Sequence, residues 1–142
     1  MKQAENQFKL YLPSLSINES MARCAVASFI AQLNPTIDEL SDIKCAVSEA
    51  VTNAIVHGYK YEKGEIYISV KYFSDRTVSI EIKDKGCGIE DVKLAMTPLY
   101  TTDETGERSG MGFAVMQTFM DRLEVYSKNG NGVWILMEKK LK

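Results

Sequence analysis

Ile66-Tyr67-Ile68-Ser69-Val70-Lys71-Tyr72-Phe73-Ser74-Asp75-Arg76-Thr77-Val78-Ser79-Ile80-Glu81-Ile82 holds two runs of alternating apolar residues around a polar turn. Ile66, Ile68, Val70 and Tyr72 share one side of the first run, and Val78, Ile80 and Ile82 share one side of the second. Side chains of a strand alternate between faces, so this spacing predicts an antiparallel hairpin with one buried face. A hairpin here argues against a doubly wound parallel sheet, whose neighbouring strands need long crossovers. The second run passes straight into Asp84-Lys85-Gly86-Cys87-Gly88, which places that glycine-bearing loop at the end of a strand.

Upstream, Phe8, Leu10 and Leu12 alternate and then meet Pro13, the pattern of a short edge strand and a candidate contact for a second copy. Ser16-Ile17-Asn18-Glu19 and Thr36-Ile37-Asp38-Glu39 both have the S/T-x-x-E form of a capping box. Each opens a stretch of helical periodicity, the first carrying Arg23 and broken at Asn34-Pro35, the second running to Gly58. Downstream, a short helix is expected over Glu90 to Met96. A polar, glycine-bearing loop follows from Leu99 to Ser109, and loops of that length usually bind or cover something. Met111 to Met120 reads as a helix. Leu123 and Val125 begin a strand that turns at Asn129-Gly130-Asn131-Gly132 and returns over Val133 to Met137. The basic Lys139, Lys140 and Lys142 read as a solvated end. The expected fold is α+β: a two-layer sandwich with a four- or five-stranded, mostly antiparallel sheet and helices on one face.

Composition narrows the function. The 142 residues fit one domain, and 45% apolar with 25% charged is ordinary for a globular protein. A formal net charge of -2 lacks the electrostatic footprint of a nucleic-acid binder. With one histidine and three scattered cysteines, Cys24, Cys45 and Cys87, a Cys/His zinc site is not expected, and reduced thiols suit a cytoplasmic location. No apolar run reaches the roughly 18 residues of a membrane span, and the polar start is unlike a signal peptide.

Ser48-Glu49-Ala50-Val51-Thr52-Asn53-Ala54-Ile55-Val56-His57-Gly58 carries the chemistry. Glu49 and Asn53 are four apart, hence stacked on one helical face beside the apolar stripe of Ile43, Ala46, Val47, Ala50, Val51 and Ala54. Asn53 offers an amide oxygen of the kind Mg²⁺ accepts, and Glu49 a carboxylate able to take a proton from a hydroxyl. Asp84, at a strand end, suits the exocyclic amine of a base, and Gly86 and Gly88 let a flat ring lie on the backbone. Gly110-Met111-Gly112 precedes a helix whose bare N–H groups attract an anion such as a polyphosphate, with Arg108 beside it. Taken singly, each glycine pair reads equally as a turn or a helix start, and Glu49 with Asn53 as a solvated flank; the combination points to a nucleotide. A Walker loop is absent and a Rossmann reading fits poorly, because Gly110 follows a loop. His57, at the helix end, suits a structural imidazole.

The Ser48–Gly58 stretch resembles the N box of the GHKL ATPase superfamily. Asp84-Lys85-Gly86-Cys87-Gly88-Ile89 resembles its first glycine box and Arg108-Ser109-Gly110-Met111-Gly112-Phe113 its second. Nearly the whole chain, including Val26-Ala27-Ser28-Phe29-Ile30-Ala31-Gln32-Leu33 and Pro98-Leu99-Tyr100-Thr101-Thr102, is similar to the sporulation anti-sigma factors of that superfamily, which are serine protein kinases. The resemblance implies a Bergerat fold over residues 1–142, ATP or ADP and Mg²⁺ as cofactors, and a lid over about residues 97–109. It implies Glu49 as general base, Asn53 as metal ligand and Asp84 as adenine reader with Gly86 and Gly88 beside the ring. Gly110 and Gly112 would cradle phosphates, Arg108 matches the lid-end arginine, Thr102, Ser109 and Met111 complete the cofactor-binding set, and Arg23 falls at a protein-partner contact. The implied partners are a sporulation sigma factor, an anti-anti-sigma factor as phosphorylation substrate, and a second copy in a homodimer, with no direct nucleic-acid or membrane contact. The sequence departs from the family where Val133 and Trp134, not a threonine, follow Gly132. A nucleotide-gated sigma-binding module without catalysis is the alternative, which Glu49 argues against. The ATP-binding half of a histidine kinase fits less well, since those domains generally lack a Glu49 equivalent.

Overall fold

In the computed structural model, which describes residues 3–89, 91–96, 112–127 and 130–142, both alternating runs are strands. They are β2 (Glu65–Tyr72) and β3 (Thr77–Asp84), paired antiparallel with Ile68 opposite Ile82 and Val70 opposite Ile80. At their turn the Arg76 N–H donates to the Phe73 carbonyl at 2.9 Å and the Thr77 N–H to Asp75 Oδ1 at 3.0 Å. The edge strand β1 (Asn6–Pro13) pairs with β2, while β4 (Arg122–Ser127) and β5 (Val133–Lys140) form a second hairpin that joins through β5 to β3. The described strands make one five-stranded sheet in the order β1-β2-β3-β5-β4, with every pairing antiparallel.

The helices cover one face of this sheet. α1 (Asn18–Ile30) and α2 (Ile37–Asn53) pack on each other, and α4 (Gly112–Phe119) packs on α2. Ala22, Val26 and Ile30 from α1 meet Ile43, Ala46, Val47, Ala50 and Val51 from α2 in one apolar layer. Ile66, Ile68, Val70, Val78, Ile80, Ile82, Ile135 and Met137 close that layer from the sheet. Burial of such side chains contributes roughly 1.5–3 kcal/mol each before chain entropy is counted. The described part of the short helix expected after the glycine loop is α3 (Val92–Ala95), capped by Asp91, whose Oδ1 accepts from the Leu94 N–H at 3.1 Å.

The two expected capping boxes part company. Thr36 and Glu39 form theirs: the Glu39 N–H donates to Thr36 Oγ1 at 3.0 Å and the Thr36 N–H to Glu39 Oε1 at 2.9 Å. Ser16 and Glu19 do not; the residue before α1 is Ile17, with no side-chain cap. The Glu19 carboxylate turns instead to Ser48 Oγ on α2 and to the Arg23 guanidinium at 3.6 Å. The basic end is solvated at Lys140 and Lys142, as expected, but it is held in place. Leu141 is buried at 3% exposure, Lys139 Nζ donates to the Phe119 carbonyl at 2.7 Å, and the Lys142 N–H donates to Glu39 Oε2 at 2.8 Å. The segment is docked, because Leu141 joins the buried core and its N–H donates to the Arg76 carbonyl at 3.0 Å.

The helix also changes pitch where the sequence shows only continuity. After Asn53, Ala54–Gly58 is a π turn, and the Tyr59 N–H reaches the Ala54 carbonyl at 2.8 Å. A π turn widens the ladder by one residue, a local change frequent at functional sites.

Candidate functional site

α2 ends against two other elements, and the contacts are made by glycines. A Cβ placed on Gly112, the first residue of α4, would lie 3.1 Å from Glu49 Oε2 and 3.2 Å from both Asn53 Oδ1 and Asn53 Nδ2. The start of α4 therefore abuts the Glu49–Asn53 pair, which is half-buried at the edge of the buried Ala46–Ala50 stripe. The N-terminal part of α4, the positive end of its dipole, is brought beside a carboxylate and a carboxamide.

The π turn carries the chain from Asn53 to Gly58, and Gly58 is the floor of the second corner. A Cβ there would lie 3.0 Å from Asp84 Oδ1. Gly86 packs still closer, since its Cβ would fall 2.2 Å from the Gly58 carbonyl oxygen. The Cys87 N–H donates to that oxygen at 2.9 Å, so the loop after β3 is laced to the end of α2. Gly132 seals the far side, with φ +79° and a Cβ position 2.1 Å from the Asp84 carbonyl oxygen. Gly88 has φ +76°, a conformation that side-chain-bearing residues rarely adopt.

Asp84 itself receives the Gly86 N–H at 2.9 Å and a backbone hydrogen bond from Val133. Burial pushes its carboxyl up to about 6 from an ordinary 3.8, against the opposing pull of those two N–H donors. A carboxylate held partly dry, with acceptor capacity remaining, suits a donor such as an exocyclic amine. Ser127 braces the corner: its hydroxyl accepts from the Ile89 N–H at 2.6 Å and donates to the Gly132 carbonyl at 2.7 Å. Tyr59 braces the other wall, accepting the Lys85 N–H at 2.7 Å on its hydroxyl and donating to the Glu65 carbonyl at 2.5 Å.

The structure thus brings Glu49, Asn53 and Gly112 together, and Asp84 and Gly86 together, joined by the π turn. Thr102, Arg108, Ser109, Gly110 and Met111 lie outside the described residues, as does the expected lid. Arg23 stands apart on α1, half-exposed and 3.4 Å from Ser20 Oγ. Gly58, Gly132 and Ser127 were not among the expected site residues. A glycine closing an apolar helix was the available signal for Gly58; nothing local marks the approach of Gly132 to Asp84. Among the described residues no group of three or more His, Cys, Asp or Glu could hold a metal ion by itself. An ion here would need oxygens from elsewhere, as Mg²⁺ does when it is shared with phosphates.

A strand-end acid packed on glycines and a helix start beside an acid–amide pair are the features of a nucleotide-binding ATPase domain. Residues 12–139 match the family described as histidine kinase-like ATPase domain. The anti-sigma F factor of Clostridium novyi (strain NT) is 56% identical over 138 residues, covering 96% of each chain. That of Clostridium beijerinckii is 53% identical over 138 residues with the same coverage, and that of Clostridium botulinum (strain Eklund 17B) 57% over 137. Among solved structures, the RsbU and RsbW domains of Rv1364c from Mycobacterium tuberculosis superpose with a TM-score of 0.70 at 18% identity, over 96% of this chain and 32% of that one. The catalytic domain of histidine kinase ThkA superposes with a TM-score of 0.58 at 16% identity, over 96% of both. At such identities the likeness is one of fold. The chain belongs to the anti-sigma F factor family, within the histidine kinase-like ATPase domains.

Proposed function

We propose that the chain is an ATP-dependent serine protein kinase and anti-sigma factor. It holds a sporulation sigma factor, phosphorylates a serine of the anti-anti-sigma antagonist, and acts as a homodimer. The names of relatives 51–57% identical over nearly full length support the anti-sigma part. The observation that carries the kinase part is the abutment of Gly112 on Glu49 and Asn53.

The donor set suits ATP and Mg²⁺: a partly buried strand-end carboxylate for a base amine and an amide oxygen on Asn53 beside the Glu49 carboxylate, with Gly58, Gly86 and Gly112 letting the elements that carry them pack closely. Asp84 accepts a hydrogen bond from the adenine amine, and Gly86 and Gly88 give the ring a bare backbone. Asn53 Oδ1 is the protein oxygen for the metal. The start of α4 would face the phosphates, and Thr102, Arg108, Ser109, Gly110 and Met111 complete the expected nucleotide-binding set. Bound Mg-ATP supplies the transferable phosphoryl group and neutralises its developing charge. Glu49 takes the proton of the substrate serine, a role worth typically 10²–10⁴-fold in rate. Arg23 on α1 makes the contact with the protein partner.

Incubation with γ-labelled Mg-ATP and the antagonist tests this. The native chain transfers label to serine; Glu49→Gln retains nucleotide binding and loses most transfer. Full transfer by Glu49→Gln would remove Glu49 as the base, and no transfer by the native chain would leave only a nucleotide-gated binder.

A further inference from the structure

Two side-chain hydroxyls outside the expected nucleotide set each hold one of the peptide units beside Asp84. Tyr59 Oη accepts the Lys85 N–H at 2.7 Å and donates to the Glu65 carbonyl at 2.5 Å. That N–H belongs to the Asp84–Lys85 peptide. A trans peptide points its N–H and C=O in opposite directions, and no cis bond occurs among the described residues. The carbonyl of the same unit is met by Gly132, whose Cβ position lies 2.1 Å from the Asp84 oxygen. The unit is therefore held from both sides.

Ser127 does the same for the second unit. Its hydroxyl donates to the Gly132 carbonyl at 2.7 Å, and the N–H of that same Gly132–Val133 peptide bonds the Asp84 carboxylate. The hydroxyl also accepts the Ile89 N–H at 2.6 Å, which ties the end of the glycine loop to the last hairpin. Asp84, Val133 and Ser127 pair directly across β3, β5 and β4, so they share one face of the sheet. With valine at position 133, β5 gives the acid a backbone N–H there and no hydroxyl. Its aim then depends on how that peptide is turned.

Tyr59 is itself fixed. Its ring fills the space over Gly64, where a Cβ would fall 2.3 Å from a ring carbon. Gly64 is tied in turn to buried Ser14 by hydrogen bonds of 2.8 and 2.9 Å. The chain leaves Tyr59 through Lys60 and Tyr61 at φ +51° and +66°, a region unfavourable for residues with side chains. Each hydroxyl proton is already donated to a backbone carbonyl, so these groups act through the peptides they hold and not on a bound ring.

We propose that Tyr59 and Ser127 are positioning residues for base selection, holding the two peptides beside Asp84 so that its carboxylate meets the exocyclic amine of a purine. The inference rests on the nucleotide reading above and deepens it.

Equilibrium binding of Mg-ATP and of purine riboside triphosphate, which lacks the exocyclic amine, tests this on the full chain, well below its melting temperature. The native chain binds ATP more tightly than the analogue. Tyr59→Phe and Ser127→Ala each raise the ATP dissociation constant by about three- to tenfold and leave that of the analogue within about twofold, so the preference collapses. Ser127→Thr keeps a hydroxyl and restores ATP binding to within about twofold of native. Hydroxyls that served only the fold would lower the melting temperature and leave the preference intact, or weaken both nucleotides alike. Either result overturns the proposal, as does a Ser127→Thr chain that binds like Ser127→Ala. A native chain that binds both triphosphates equally removes Asp84 as the base reader and the proposal with it. One that binds neither removes the nucleotide reading itself.

Discussion

Replacing Asp84 by asparagine separates what the corner does for nucleotide from what it does to stability. Asp84 is pushed to about 6 in the folded chain from 3.8, with burial the dominant cause. Between those two values the folded state holds a proton that the unfolded state has released, so stability falls as pH rises through that window. Below the unfolded value both states are protonated and the penalty vanishes; above the folded value it is fully present. The difference of about 2.2 units, taken at 1.36 kcal/mol each, makes this penalty of order 3 kcal/mol at neutral pH. Asparagine keeps one acceptor for the Gly86 and Val133 N–H groups but sets its own NH₂ against the other, a loss of about 1–1.5 kcal/mol. The nucleotide-free variant is therefore expected to be more stable than the native chain by about 1–2 kcal/mol at pH 7.5 and less stable by about 1 kcal/mol near pH 4. Urea denaturation of both proteins across this range reads the difference directly, and other carboxylates cancel in the comparison. A stability difference that does not move with pH, or that grows toward acid in the variant's favour, refutes the desolvated carboxylate. The same variant is expected to lose ATP affinity, and the native chain to bind ATP progressively more weakly as pH falls below about 6, where Asp84 loses its acceptor charge.

Gly112→Ala places a methyl group 3.1 Å from Glu49 Oε2 and 3.2 Å from the Asn53 amide, so phosphotransfer and Mg-ATP affinity fall while the melting temperature moves little. Enzyme assay beside thermal denaturation checks this. Leu141→Ala, in the segment docked on α2 and the hairpin turn, costs about 2–5 kcal/mol, measurable by urea denaturation. Thr36→Ala removes half of a formed capping box and costs about 1 kcal/mol, whereas Ser16→Ala, where no box forms, leaves stability within about 0.5 kcal/mol. Arg23→Glu keeps ATP binding and loses the protein partner, as a pull-down with purified sigma factor would register.

How much of this was legible depends on whether the information is local. The hairpin and β1 could be read because a half-buried strand advertises itself every second residue, and the Thr36 box because its partners are three apart. The Ser16 box has the same spelling, but Glu19 finds Ser48 and Arg23 instead, partners that only helix packing brings near. Leu141 stood among lysines and drew no reading of its own, although a single apolar side chain suffices when it meets a core. The π turn has no spelling at all, since it changes hydrogen bonding without changing residue type. For the site, the helical spacing of Glu49 and Asn53 and the strand-end position of Asp84 were visible. That Gly58 underlies Asp84 and Gly132 seals it is a tertiary fact, set by backbone approaches across distant segments.

The most direct test of the central claim is a crystal structure of the chain with Mg²⁺ and a non-hydrolysable ATP analogue. The account predicts the purine amine on Asp84 with the ring along Gly86, the metal on Asn53 Oδ1 and the phosphates at the start of α4. A purine lodged elsewhere, or an empty corner at saturating analogue, would contradict it.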